Sequence, residues 1–214
     1  MLNLSPPILI SRIITLLIAL PFHEFAHAWT AHKFGDTTPE RNGRLTINPL
    51  AHLDLMGTLM LLIAGFGWAK PVPVNPYALE RRSSSALMLV SLAGPLSNLL
   101  LAILAAVPFR LGWINFYSAS GSFLPTPADF LLQFIIINLA LMLFNLIPLA
   151  PLDGEKVLSR ILPPRFSQLL DTIRPYGPLI LLALILAGRT IGLDVIGWIM
   201  GPPLRALFSL LTGV

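Results

Sequence analysis

The chain has 214 residues, of which 55% are hydrophobic and only 11% charged, with a mean hydropathy of +0.79; that balance excludes an ordinary soluble domain and predicts an all-α polytopic membrane protein. Cysteine is absent, which excludes disulfides and thiolate ligands and leaves His, Asp and Glu to hold any metal. The formal charge of +4 is modest, and its distribution bears on topology rather than on an anionic partner such as nucleic acid.

The first apolar run, about residues 8 to 32, opens with Ser5-Pro6-Pro7, a helix start whose prolines need no N–H partner. Ala26-His27-Ala28 mimics a signal-peptidase site. The first ten residues nevertheless carry no Lys or Arg, so the run is expected to stay in the mature chain. Within it, FHEFAHAW places His23 and His27 four residues apart. On a helix both imidazoles project from one face, one turn apart, and reach a single metal; Glu24 follows the first ligand and reaches a water without ligating the ion. This is the H-E-x-x-H arrangement of zinc peptidases, in which the ion activates water and the glutamate takes its proton. Four histidines and four glutamates placed at random would form it in roughly one chain in a thousand of this composition. Ionisable groups in a membrane helix are costly, and their default reading is function.

Residues 33 to 50 hold Lys33, Arg41 and Arg44, and 69 to 85 hold Lys70, Arg81 and Arg82. If both stretches are cytoplasmic, the apolar piece between them (51 to 68) enters and leaves on the same side, as a re-entrant segment. The flanking RLTIN (44 to 48) and KPVPVNP (70 to 76) alternate in strand fashion, Pro71 and Pro73 restricting the second to an edge. A small β element is therefore expected near residues 44–76, with Val72 and Val74 offered to an extended substrate peptide.

The second full span is about 86 to 109. There LAGPLSN is read as a kink or close approach at Gly94 and Pro95, with Ser97 and Asn98 bonding across to a neighbour; Asn98 is also a candidate substrate contact. The third apolar stretch, about 130 to 152, ends in NLIPLAPLDG. Pro148 and Pro151 break the helix before Asp153, whose carboxylate would turn inward at the depth of the histidines. Asp153 is the strongest third ligand; His52 and Asp54 are second choices, and His32 reads as a helix-end residue. A surface Asp in a Pro-Gly turn is the alternative. Asn145 either donates to the oxyanion formed at an attacked carbonyl or bonds a neighbouring helix. The loop 153 to 175, with Lys156, Arg160, Arg165 and Arg174, would join the cytoplasmic side, whereas 110 to 129 has only Arg110. From 176 the apolar pieces are short, giving about 4–6 transmembrane helices in all. Trp29, Trp68, Trp113 and Trp198 fit interfacial anchoring.

FHEFAHAW, LAGPLSN and NLIPLAPLDG together resemble the site-2 protease family of intramembrane zinc metalloproteases, over about residues 8 to 160; GRLTINPL, HLD and GWAKPVPVNP resemble its compact prokaryotic branch. The resemblance implies one Zn2+ per chain held by His23, His27 and Asp153, Glu24 as general base, and Asn145 as a catalytic contact to substrate or oxyanion. It further implies cleavage of transmembrane segments of substrate proteins, releasing signalling fragments or clearing membrane remnants, in a multi-pass cell-membrane protein whose active site faces the cytoplasm. Residues 1–214 read as one such domain, with further helices at 176–214. An extra leading span and an inserted PDZ module, found in some members, are expected to be missing. The rival reading is a membrane protein without this activity: an inactive relative that binds helices, or a metal-binding ion transporter. A transporter would carry ionisable residues along a path across the bilayer, and an inactive relative would lack Glu24.

Overall fold

The computed structural model describes residues 5–54, 57, 69–116 and 123–213. They form helices α1 (Pro6–Lys33), α2 (Thr38–Arg41), α3 (Pro49–His52), α4 (Pro76–Arg82), α5 (Ala86–Arg110), α6 (Pro127–Asn145), α7 (Asp153–Ile161), α8 (Pro164–Ile173), α9 (Gly177–Thr190) and α10 (Val195–Thr212), with a 3₁₀ turn at Arg174–Tyr176. Among the described residues five stretches are long and apolar enough to cross a membrane: Pro6–Lys33, Ala86–Arg110, Pro127–Asn145, Arg165–Gly188 and Val195–Thr212. The protein is a multi-pass membrane protein.

Local chemistry sets the ends of the central helices. Pro6 and Pro7 occupy the first turn of α1, where no N–H partner is required. Pro21, inside α1, removes one helical hydrogen bond two residues before His23. A capping box opens α6: the Thr126 hydroxyl accepts from the Asp129 N–H at 3.1 Å, and the Asp129 carboxylate accepts from the Thr126 N–H at 3.2 Å. The stretch read as 130 to 152 is two pieces, because α6 runs from 127 to 145 and a non-helical turn carries the chain to Asp153. Pro148 and Pro151 account for that ending, since neither can continue a helical ladder.

The core lies between α5 and α6. Ala102, Ala105, Ala106 and Phe109 meet Ala128, Phe134, Ile135, Leu139 and Met142, and from α10 Leu204, Leu207, Phe208 and Leu211 pack onto the cluster. Alanines on α5 let the backbones approach closely, which is how helices associate where lipid removes the hydrophobic drive. A smaller cluster of Ala31, Leu79, Ala86 and Val90 joins α1, α4 and α5 near the basic end of α1.

The expected strands are not present among the described residues. The β pairing there is one antiparallel bridge, Leu53 to Ala69, beside a Lys70 N–H to His52 carbonyl bond of 2.8 Å. In 44 to 48 local bonds compete with pairing: the Asn48 N–H donates to the Thr46 hydroxyl at 3.1 Å. Residues 70 to 75 have no regular secondary structure: Pro71 and Pro73 have no N–H, and those of Val72 and Asn75 go to carboxylates of Glu24 and Asp36. Buried Asp36 also accepts from the Thr38 N–H at 2.9 Å, so one side chain ties the segment after α1 to Asn75. Most of the re-entrant segment proposed for 51 to 68, including Trp68, lies outside the described residues.

Candidate metal centre

On α1, His23 and His27 stand one turn apart with ring centroids 4.6 Å apart and planes nearly perpendicular. Their Nε2 atoms are 3.0 Å from each other, and 3.3 Å and 3.2 Å respectively from Oδ2 of Asp153, which the turn after α6 delivers to the start of α7. All three side chains are buried. Among the described residues this is the one set of three metal-ligating side chains that converge. Their separations match the edge of a zinc tetrahedron, ~3.3 Å for ligand distances of about 2.0–2.1 Å.

Hydrogen bonds behind the rings select the tautomers. His27 Nδ1 lies 2.7 Å from the Val90 carbonyl, which accepts only, so that nitrogen carries the proton. His23 Nδ1 lies 2.6 Å from Asn98 Oδ1. The Asn98 amide nitrogen donates to Asn138 Oδ1 at 3.0 Å, and the Asn138 nitrogen donates in turn to the Phe134 carbonyl at 2.9 Å. This chain of donors, assigned from the network, gives Asn98 one consistent orientation, its oxygen toward His23. Both Nε2 lone pairs then point at the carboxylate.

The second test of fit is space. A β-carbon added to Gly94 would stand 2.6 Å from Nε2 and Cε1 of His23 and nearer still to Nε2 of His27. Only glycine on α5 leaves that point free, and the point lies beside both ligand nitrogens. The donor set and the clearance both suit a zinc ion.

Around the triad is a cavity of about 120 Å³, lined in part by Glu24, Val72, Val74, Asn145 and Lys156. Glu24 stays out of the ligand set, and its Oε2 accepts the Val72 N–H at 3.1 Å. Asn145 faces the cavity while its amide donates to the Leu141 carbonyl of its own helix at 3.0 Å. Asn98 is fully buried, and both ends of its amide are engaged by His23 and Asn138. Ser97 bonds the Gly94 carbonyl of its own helix rather than a neighbour. The alternative ligands separate from the centre as well. His52 is buried with Nε2 on the Thr46 carbonyl at 2.7 Å, Asp54 accepts the Gly57 N–H, and His32 pairs with Glu40 at 3.3 Å at the end of α1.

Sequence reasoning missed Asn138, Lys156 and the clearance provided by Gly94. Lys156 Nζ lies 3.7 Å from Asp153 Oδ1, the oxygen turned away from the histidines. Asn138 had a signal, an amide in the middle of an apolar run two turns before Asn145.

The chain is 42% identical over 174 residues to a Bacillus subtilis protein named "Putative zinc metalloprotease YwhC", covering 80% of this chain and 78% of that one. It is 34% identical to a Mycolicibacterium smegmatis protein named "Putative zinc metalloprotease Rip2" (79% of this chain, 64% of that one) and 32% identical to Rip2 of Mycobacterium tuberculosis H37Rv (86% and 68%). No family model matches the chain, and no solved structure does. With its centre built as described and its likeness to YwhC extending over most of both chains, the protein belongs to the zinc metalloprotease family of YwhC and Rip2.

Proposed function

We propose that this protein is an intramembrane zinc metalloprotease of the site-2 type, hydrolysing peptide bonds within transmembrane segments of substrate proteins, from a centre open to the cytoplasm. One observation carries the reading. His23 and His27 precede the basic end of α1 at Lys33 by ten and six residues, so at 1.5 Å per residue they lie about 15 and 9 Å along a membrane-length helix. A hydrolytic triad at that depth meets bonds that a bilayer otherwise shields. The basic residues between the helices favour the cytoplasm for that end. Against ion transport stands α5, which has no ionisable residue from Ala86 to Phe109.

Nε2 of His23, Nε2 of His27 and Oδ2 of Asp153 would hold the zinc ion, which would supply a Lewis acid for the scissile carbonyl and the attacking water. Glu24 accepts the water's proton at its carboxylate and returns it to the leaving amide nitrogen. The Val72 N–H keeps that carboxylate turned into the cavity before substrate arrives. Asn145 donates to the oxyanion growing on the carbonyl, exchanging its bond to Leu141 for the stronger charged one. Val72 and Val74 line the cavity, where a substrate unwound from its helix gains a backbone neighbour.

Purified protein reconstituted in liposomes with model single-span substrates tests the proposal. Glu24→Gln is expected to retain one zinc and lose cleavage, whereas Asp153→Ala loses both, and a chelator abolishes wild-type cleavage. Full activity of the glutamine variant would remove the mechanism.

A further inference from the structure

Among the described residues five stretches are apolar enough to cross a membrane, but the contacts between helices allow only four of them to do so. The bonds from His23 to Asn98 and from His27 to Val90 make α1 and α5 antiparallel, because α5 numbers fall as α1 numbers rise. Asn98 meets Asn138, and Phe109 near the end of α5 shares a cluster with Ala128 at the start of α6, so α5 and α6 are antiparallel as well. The end of α6, and with it Asp153, therefore lies on the membrane side of Lys33 and Ala86. Arg110, at the end of α5, lies on the other side. There it donates from Nε to the Leu211 carbonyl at 2.9 Å and from Nη2 to that of Leu210, which pins the end of α10 to the Arg110 side.

Between Asn145 and Leu211 the chain must change sides, which takes an odd number of crossings. Two candidate stretches are available, Arg165–Gly188 and Val195–Thr212. Only one of them crosses. Leu204, Leu207, Phe208 and Leu211 pack along the α5–α6 core, so the crossing belongs to α10. We infer that residues 164 to 190 are a monotopic arm, lying in the leaflet on the Asp153 side, with the acyl chains of that leaflet covering its apolar face.

The arm's own construction agrees. It is α8, a 3₁₀ turn and α9 in succession, with the strongly apolar part confined to the 14 residues of α9. Phe166, Leu169, Leu170 and Ile173 recur on one face of α8, opposite Gln168, Asp171 and Thr172. Phe166 and Leu169 are 57% and 58% exposed, so the protein does not cover that stripe. An amphipathic helix of this kind lies in the plane of the interface. The arm is anchored at the depth of the catalytic turn: Arg174 donates from Nε at 3.0 Å and Nη2 at 2.6 Å to buried Glu155, two residues past Asp153. At the start of α9, a β-carbon on Gly177 would stand 2.8 Å from that of Ala150.

The inference is independent of proteolysis and is tested on the full chain. Because the chain lacks cysteine, single-cysteine variants need no background removal. Ser84→Cys, Arg160→Cys, Leu193→Cys and Trp113→Cys would be reacted with a membrane-impermeant maleimide in sealed right-side-out and inverted vesicles. Cysteines at 84, 160 and 193 should react from one face and that at 113 from the opposite face. Reaction of position 193 from the face of 113, or from neither face, overturns the arm. Spin labels at Phe166→Cys and Gln168→Cys then identify the cover. Lipid gives oxygen-accessible 166 and access of a water-soluble nickel complex to 168. Protection of 166 from both reagents means a protein partner or second copy, and it rejects the lipid assignment.

Discussion

Replacing Gly94 with alanine adds one methyl group at the point nearest both ligand histidines. Ordinary contact begins at 3.4 Å, whereas the new β-carbon would stand 2.6 Å from Nε2 of His23, so that ring must retreat by about 0.8 Å. The His27 ring must move further. Metal–ligand distances tolerate about ±0.2 Å, so neither ring keeps its place in a shared coordination sphere. We expect zinc affinity to fall by at least about 100-fold, or ~2.8 kcal/mol. The helix itself gains, since alanine in a helix interior is favoured over glycine by roughly 0.5–1 kcal/mol. The two effects have opposite signs and separate readouts. Displacing two buried rings costs about 1–3 kcal/mol, so zinc-stripped variant should unfold at or below the temperature of stripped wild type, while the stabilisation gained on adding zinc, about 2.7 kcal/mol at a hundredfold excess over Kd for wild type, should vanish. Metal analysis after dialysis and thermal unfolding with and without zinc measure both. A Gly94→Ala protein that retains one zinc with unchanged affinity would falsify the placement of the ion between α1 and α5.

Asn98→Leu leaves the His23 Nδ1–H and Asn138 Oδ1 unpaired in a buried site, each at a cost of ~1–3 kcal/mol, and should weaken zinc by about 10–100-fold in equilibrium titration. Asn138→Leu should lower the unfolding temperature with a smaller effect on zinc, because His23 keeps its acceptor; equal zinc loss in both variants contradicts the proposed order of the chain. Val72→Pro removes the donor to Glu24 and should reduce cleavage of a single-span substrate while bound zinc stays constant, an outcome that unchanged turnover refutes. Arg174→Met strands the buried Glu155 carboxylate; since the arginine is half exposed, a loss of ~1–3 kcal/mol is expected, below the range for fully buried pairs, and is read from denaturant unfolding.

The parts of the site legible in the sequence are those written in local spacing. His23 and His27 declare a shared face through four-residue separation, and Asp153 declares a broken helix through Pro148 and Pro151. Asn98 was legible as a costly amide in hydrocarbon, but its role depends on His23, 75 positions away, and on Asn138, 40 positions away. Gly94 reads as close approach in any membrane helix, and no sequence rule names what approaches it. The alternation in KPVPVNP imitates a strand because proline occupies alternate positions, yet those prolines remove the very donors a ladder requires. The tail beyond residue 176 stayed ambiguous for a different reason: hydropathy measures length and apolarity, while the number of crossings depends on where Arg110 meets the end of α10.

Pro71 and Pro73 leave Val72 with the single exchangeable backbone proton in three consecutive residues, and that proton is bonded to the carboxylate proposed as general base. A deuterium-uptake signal from this short stretch therefore carries one amide's history without overlap. The chain has a natural meter in its backbone: the exchange rate at Val72 reports, in the intact protein and without a label, how often Glu24 is released for work.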